Sequence, residues 1–293
     1  MIKTAITGIG DPFILRAGDT YYMYATSAPD GFLYFSSTDL LNWKNCGYCF
    51  KAAGVTENCY WAPEVYEING KYYMIYTARW AKNHSLRLWL AVADSPCGPF
   101  ENVGNEPIFD YGYAVIDGSL FIDDNKQGYL YFSRDCSENI INGVHTSEIY
   151  CVKFSIDGMK AVGEPVKLTT PDVEWETSHC ADWKWNEAPA VLKRNGIYYL
   201  CYSVNCFDCR EYSVGVAMSD KPMGKFIKYD KNPILKYKEN EFSGPGHNCF
   251  FTDKDGRLMT AFHIHTDYDK PSGDRRACIA PVRFDGDVMI IDL

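Results

Sequence analysis

One strand-turn-strand unit recurs along this chain, and a chain built that way has few folds open to it. Glu187 to Ser203 reads EAPAVLKRNGIYYLCYS. Ala62 onward reads APEVYEINGKYYMIYT, and Asp11 onward reads DPFILRAGDTYYMYAT. In all three, a proline (Pro12, Pro63, Pro189) stands nine positions before the first Tyr of a pair (Tyr21, Tyr72, Tyr198). Two weaker copies carry GYLYFS from Gly128 and GRLMTAF from Gly256. Counting back by the same spacing sets Asp117-Gly118-Ser119 and His247-Asn248-Cys249 beside Glu187-Ala188-Pro189. The five copies then start at Gly10, Trp61, Asp117, Glu187 and His247, 51 to 70 residues apart.

Further strand text follows the copies, such as LRLWLAVADSPCGPF after the second and YSVGVAMSDKPMGKF after the fourth. Four short strands per repeat of about 50 residues is the pattern of a β-propeller blade. No segment sustains a helical period. A β-sandwich would not explain five copies of one hairpin. The expected fold is all-β: a five-bladed propeller of four-stranded antiparallel blades around a central channel. It is expected to fill residues 1–293 as one domain, with the N-terminal strand and the C-terminal VMIIDL sharing the closing sheet.

In a propeller the first strand of each blade lines the channel, so equivalent positions form a ring. Positions kept only for packing should keep one residue type, as the Tyr-Tyr strand does. The ring instead varies: Gly10-Asp11, Trp61-Ala62, Asp117-Gly118, Glu187-Ala188, His247-Asn248. Taken singly, each residue has an ordinary explanation. Asp before Pro and Asp before Gly form turns, and a lone His is usually a hydrogen-bonded structural group. Three carboxyls in register on one ring point instead to a site grafted onto a symmetric scaffold.

Composition narrows the ligand. The net charge is −9 and no basic block occurs, which disfavours nucleic acid and anionic membranes. No apolar run reaches the length of a membrane span. Aromatic residues make up 15%, suiting both β-strands and stacking on sugar rings. The 12 Cys are scattered, as reduced thiols are, and MIKTAITGIGDPF has no signal-peptide core. Both features point to the cytoplasm. Cys46-x-x-Cys49 and Cys206-x-x-Cys209 could together suggest a zinc site, but they fall in loops of different blades. His263-Ile264-His265 could present two ligands on one strand face. With no third ligand evident, it is expected to serve as hydrogen-bonded structure.

The motifs Asp11-Pro12-Phe13, Trp61-Ala62-Pro63-Glu64, Ile116-Asp117-Gly118-Ser119 and Glu187-Ala188-Pro189, followed by Gly246-His247-Asn248 and Arg275, resemble glycoside hydrolase family 43 over nearly the whole chain. The resemblance implies a five-bladed propeller that cleaves β-xylosides, α-L-arabinofuranosides, arabinans or galactans with inversion. It implies Asp11 as general base, Glu187 as general acid, and Asp117 as the carboxylate that keeps the acid protonated. Trp61, His247 and Arg275 would bind substrate, Arg275 being preferred over Arg276. The resemblance also implies Ca²⁺ near His247, often through water, as an optional structural ion; no required cofactor follows. The leading expectation is release of a terminal pentose from an oligosaccharide. Endo-arabinanase or galactan activity is the alternative on the same fold, and a non-catalytic sugar-binding propeller is the alternative of another class. The tryptophan-rich insert from Thr169 to Trp185 is expected to wall one side of the site. Oligomeric state is not legible in the sequence.

Overall fold

The computed structural model describes residues 1–52 and 54–293. Five antiparallel sheets follow one another along the chain, each entered by its own copy of the repeated hairpin. The first holds Gly10–Ala17, Thr20–Thr26, Gly31–Ser37 and Lys44–Lys51 in that order. The second holds Trp61–Ile68, Lys71–Arg79, Leu86–Ala93 and Glu101–Asn102. The third is Val115–Ile122, Gly128–Arg134, Glu148–Ser155 and Lys160–Thr169, and the fourth Asn186–Arg194, Ile197–Val204, Ser213–Ser219 and Ile227–Lys228. In the fifth, Gly246–Thr252 pairs with Leu258–His265, which pairs with Arg275–Asp285. Both chain ends complete it: Ile2–Thr7 and Val288–Ile291 each pair with Arg275–Asp285. A small extra sheet joins Ile140–Ile141, Val144–Thr146 and Trp183–Lys184.

Aromatic and β-branched residues alternate along these strands, so both faces of a sheet carry apolar side chains. Each face packs on a neighbouring sheet. Tyr24, Phe32 and Phe50 of the first sheet meet Val65, Tyr76 and Trp89 of the second. Ile75 and Leu88 meet Leu130 and Val152 of the third, and Tyr131 and Cys151 meet Leu200 and Tyr202 of the fourth. Tyr199 and Val214 meet Phe262 and Cys278 of the fifth, and Phe251 and Ile279 meet Ile14 and Met23 of the first. The first strands also touch in sequence, the fifth returning to the first. The 12 cysteines are unpaired, seven of them buried.

Register is where expectation and structure part. The residues that pair just before a bulge in each first strand are Gly10, Trp61, Ile116, Glu187 and Gly246. Asp117 and His247 therefore stand one place later than counting back from the aromatic strands puts them. The hairpin connections explain the slip. The first, second and fourth are two-residue turns, whereas Asp123–Gln127 and Asp253–Arg257 are five-residue loops. The equivalent ring pairs are Gly10-Asp11, Trp61-Ala62, Ile116-Asp117, Glu187-Ala188 and Gly246-His247.

Glu64, of the Trp-Ala-Pro-Glu motif, is buried on the second sheet and bonded to the Tyr66 hydroxyl. That hydroxyl in turn accepts the Leu120 N–H at 2.8 Å. Burial pushes the Glu64 pKa up to about 8, against the opposing hydrogen bonds from Tyr66 and Ser119. A carboxyl raised on folding lends stability that is full below its unfolded pKa and is lost as pH rises through the folded one. The loss is on the order of 5 kcal/mol at most, at about 1.4 kcal/mol per unit. Glu64→Gln should therefore flatten the fall in Tm between pH 5 and 8.5. Parallel Tm curves for the two proteins would refute this.

Candidate active site

A β-bulge sets two residues against one and re-aims the side chains around it. Here it recurs five times. The residues after the pairing position, Asp11, Ala62, Asp117, Ala188 and His247, all have left-handed backbones, with φ of 46 to 57°. Such a conformation costs roughly 1–3 kcal/mol per non-glycine residue. Hydrogen bonds from their amides help to hold it. The Ala62, Asp117 and His247 N–H groups donate to Thr26, Thr77 and Ser203 hydroxyls on the preceding sheet, at 2.9, 3.1 and 2.8 Å. Those hydroxyls occupy one equivalent position on the second strands. Two links depart from this pattern. The Asp11 N–H donates to Nδ1 of His263 at 3.2 Å, and the Ala188 N–H donates to Oδ2 of Asp117 at 3.0 Å. The Ser133 hydroxyl, whose place Asp117 takes, is buried without a partner.

The bulges open on a cavity of about 320 Å³. Asp11, Asp117, Glu187, Trp61, His247 and Arg275 all line it, together with Asp135, Trp185, Phe207 and Tyr212. Arg275 faces the cavity and Arg276 does not. Two glycines make room for its walls. A β-carbon on Gly10 would lie 1.9 Å from the Arg275 guanidinium, and one on Gly246 would lie 2.0 Å from the Tyr212 ring. The ring position that is Trp61 and Glu187 elsewhere is therefore glycine where another side chain crosses it.

Asp11 is tightly held. Arg275 Nη1 donates to Oδ1 at 2.7 Å, the Thr26 hydroxyl donates to Oδ2 at 2.6 Å, and His247 Nδ1 lies 3.2 Å from Oδ1. Thr26 Oγ1 already accepts the Ala62 N–H, so its own proton is directed at the carboxylate. Burial raises the Asp11 pKa, but the charge of Arg275 first, with His247 and the Thr26 hydrogen bond, holds it well below the ordinary carboxylate range. Glu187 lies at the other extreme. Burial first, and then the charge of Asp117, raise it well above the ordinary glutamate value. Asp117 itself is pushed up to about 6, chiefly by burial, against the pull of His247.

Tyr212 and His263 were not singled out as site residues from sequence. The Tyr212 hydroxyl donates to Oε1 of Glu187 at 2.8 Å, and its pKa is raised by burial, so it stays a donor. Its ring lies parallel to that of His263, centroids 5.5 Å apart. Burial drives the His263 pKa well below its ordinary value, which keeps the imidazole neutral and able to accept from Asp11. His265 is structural: Nδ1 meets the Ser243 hydroxyl at 2.9 Å and Nε2 meets the Phe207 carbonyl at 3.0 Å. The Thr169–Trp185 insert does reach the cavity, but through Trp185; Trp175 packs on Tyr202 instead.

Among the described residues, one group of three or more His, Cys, Asp or Glu side chains has converging ligand atoms: His179, Cys209 and Glu211, within 4.8 Å of one another. It includes neither His247 nor a four-cysteine set. Ca²⁺ prefers a cage of six to eight oxygens. Within ion-pair distance of His247 stands Asp11, already paired with Arg275, and the charge of His247 also acts on Asp117; an ion here would draw most of its oxygens from water.

An all-β scaffold that converges an ionised carboxylate and a buried, proton-retaining carboxyl on one cavity has the apparatus of a glycoside hydrolase. The chain belongs to glycosyl hydrolases family 43, whose family model matches residues 6–290. A solved thermostable family-43 glycoside hydrolase is 40% identical, with a TM-score of 0.95 over 99% of this chain and 96% of that one. An endo-1,4-beta-xylanase structure from Bacteroides thetaiotaomicron is 34% identical, with a TM-score of 0.85 over 98% and 94%. An extracellular exo-alpha-(1->5)-L-arabinofuranosidase from Streptomyces chartreusis is 27% identical over 90% of this chain and 82% of its own length.

Proposed function

We propose that the chain is a one-domain, five-bladed propeller that releases terminal pentose units, α-L-arabinofuranosyl or β-D-xylosyl, from oligosaccharides with inversion. One observation carries this reading: carboxyls on a single cavity have their ionisation pushed in opposite directions, Asp11 down and Glu187 up. The blade count is supported by five successive sheets whose first strands touch in a closed order.

Asp11, ionised at any working pH, accepts a proton from the attacking water as it adds to the anomeric carbon. Glu187 gives its proton to the departing glycosidic oxygen. Tyr212 occupies Oε1, which leaves Oε2 to carry that proton. Inversion needs the two carboxyls on opposite sides of the bond, roughly 6.5–9.5 Å apart, with room for the water. Asp117 keeps the acid protonated and, through the Ala188 amide, ties its own blade to the backbone beside Glu187. Trp61 offers a ring face to the sugar. Arg275 and His247 orient Asp11 and border the sugar. No step requires a metal. The unpaired cysteines support a reducing, cytoplasmic setting.

Hydrolysis of nitrophenyl α-L-arabinofuranoside and β-D-xyloside, with matching disaccharides and polymers, tests the reading. Terminal release with inverted product supports it. Cleavage of polymer to mixed oligomers would favour an endo enzyme, and cleavage of nothing would favour a sugar-binding propeller. The pH profile adds a second check. Activity is lost at high pH as Glu187 ionises, and the Asp117 charge opposes that ionisation. Asp117→Asn should therefore move the alkaline limb of kcat/KM to lower pH. A limb that stays put or moves up would remove Asp117 from this role.

A further inference from the structure

The small sheet inserted beside the cavity is not used by the mechanism above. Its strands Val144–Thr146 and Trp183–Lys184 run parallel and pair His145 with Trp183. The two rings stack, centroids 3.9 Å apart and planes within 6°. His145 is itself fixed, its Nδ1 lying 2.8 Å from the Cys136 carbonyl. Trp183 also lies near-parallel to Trp185, at 6.3 Å and 19°. Trp185 lines the cavity and Trp183 does not. Although His145 covers one of its faces, Trp183 is 37% exposed. Among the described residues, the exposed large aromatics also include Trp61 and Phe207, both on the cavity wall.

An indole braced by an imidazole on one face and still 37% exposed offers part of its apolar surface to water. Its chemistry suits the C–H face of a sugar ring, which aromatic faces pack against. The position points to the leaving-group side. Trp183 and Trp185 stand four and two residues before Glu187 in the chain, and the general acid stands beside the leaving group. We infer that Trp183, braced by His145, forms a shelf for the second leaving-group sugar of a linear pentose oligosaccharide, beyond the first held near Trp185. This rests on Glu187 being the acid.

The test compares kcat/KM for the linear tetrasaccharide of the cleaved pentose with kcat/KM for its nitrophenyl glycoside, which has no second leaving-group sugar. Trp183→Ala should lower the ratio of the two about tenfold, mainly through KM for the tetrasaccharide. His145→Ala should lower it a few-fold by freeing the indole, and Trp183→Phe should keep most of it. An unchanged ratio, or equal losses on both substrates, overturns the shelf. Calorimetric titration with the tetrasaccharide in the Glu187→Gln background separates this from the catalytic reading. There, adding Trp183→Ala should weaken binding about tenfold even if no substrate is ever cleaved, and equal affinity refutes the shelf.

Discussion

Glu187→Gln is expected to lower kcat on an unactivated disaccharide by roughly 10²–10⁴-fold, the span typical of general acid catalysis. The effect should depend on the leaving group. A sugar alkoxide departs badly without a proton, whereas nitrophenolate departs readily, so the same substitution should cost far less on nitrophenyl glycosides. Gln accepts the Tyr212 hydrogen bond as Glu does, so the cavity wall should survive. The high-pH limb of the profile should vanish with the group that causes it. Equal losses on both leaving groups would show that Glu187 holds substrate rather than giving it a proton.

Asp11→Ala should produce a comparable or larger loss that leaving-group chemistry does not soften, because water must still be deprotonated as it attacks. A small anionic nucleophile needs no such help. Azide, drawn by the freed Arg275 into the space the carboxylate vacates, should restore turnover and yield a glycosyl azide of inverted configuration. Full activity in Asp11→Asn, or a retained configuration in the azide product, would end the assignment of Asp11 as the base. Wild type should show no loss of Asp11 ionisation across the ordinary acid range, since Arg275, His247 and Thr26 hold its pKa so low.

The hairpin repeat was legible because packing between sheets demands the same aromatic text each time. The five side chains picked from its register, Asp11, Trp61, Asp117, Glu187 and His247, line one cavity because they sit at or beside equivalent bulges of the first strands; Arg275, which came from the family resemblance, reaches the same cavity from a third strand. The one-residue slip at Asp117 and His247 came from two longer hairpin loops, and loop length carries no hydrophobic period. Tyr212 was invisible because it follows an irregular loop that no other copy shares. His263 had a signal that went unread. Its position is Thr26, Thr77, Ser133 and Ser203 in the other copies, so it breaks a hydroxyl pattern just as Glu187 breaks the ring pattern.

The five left-handed bulges carry a consequence for how such a chain tolerates change. Ala62 and Ala188 adopt the same backbone as Asp11, Asp117 and His247, and the same type of amide bond secures three of the five. The conformational cost is therefore borne by the scaffold whatever side chain is mounted there. Each bulge acts as a socket, and the reactive groups are interchangeable fittings. A chain of this kind can lose or exchange its chemistry one socket at a time while the architecture stands, which makes kindred proteins of unlike specificity easy to reach by single substitutions.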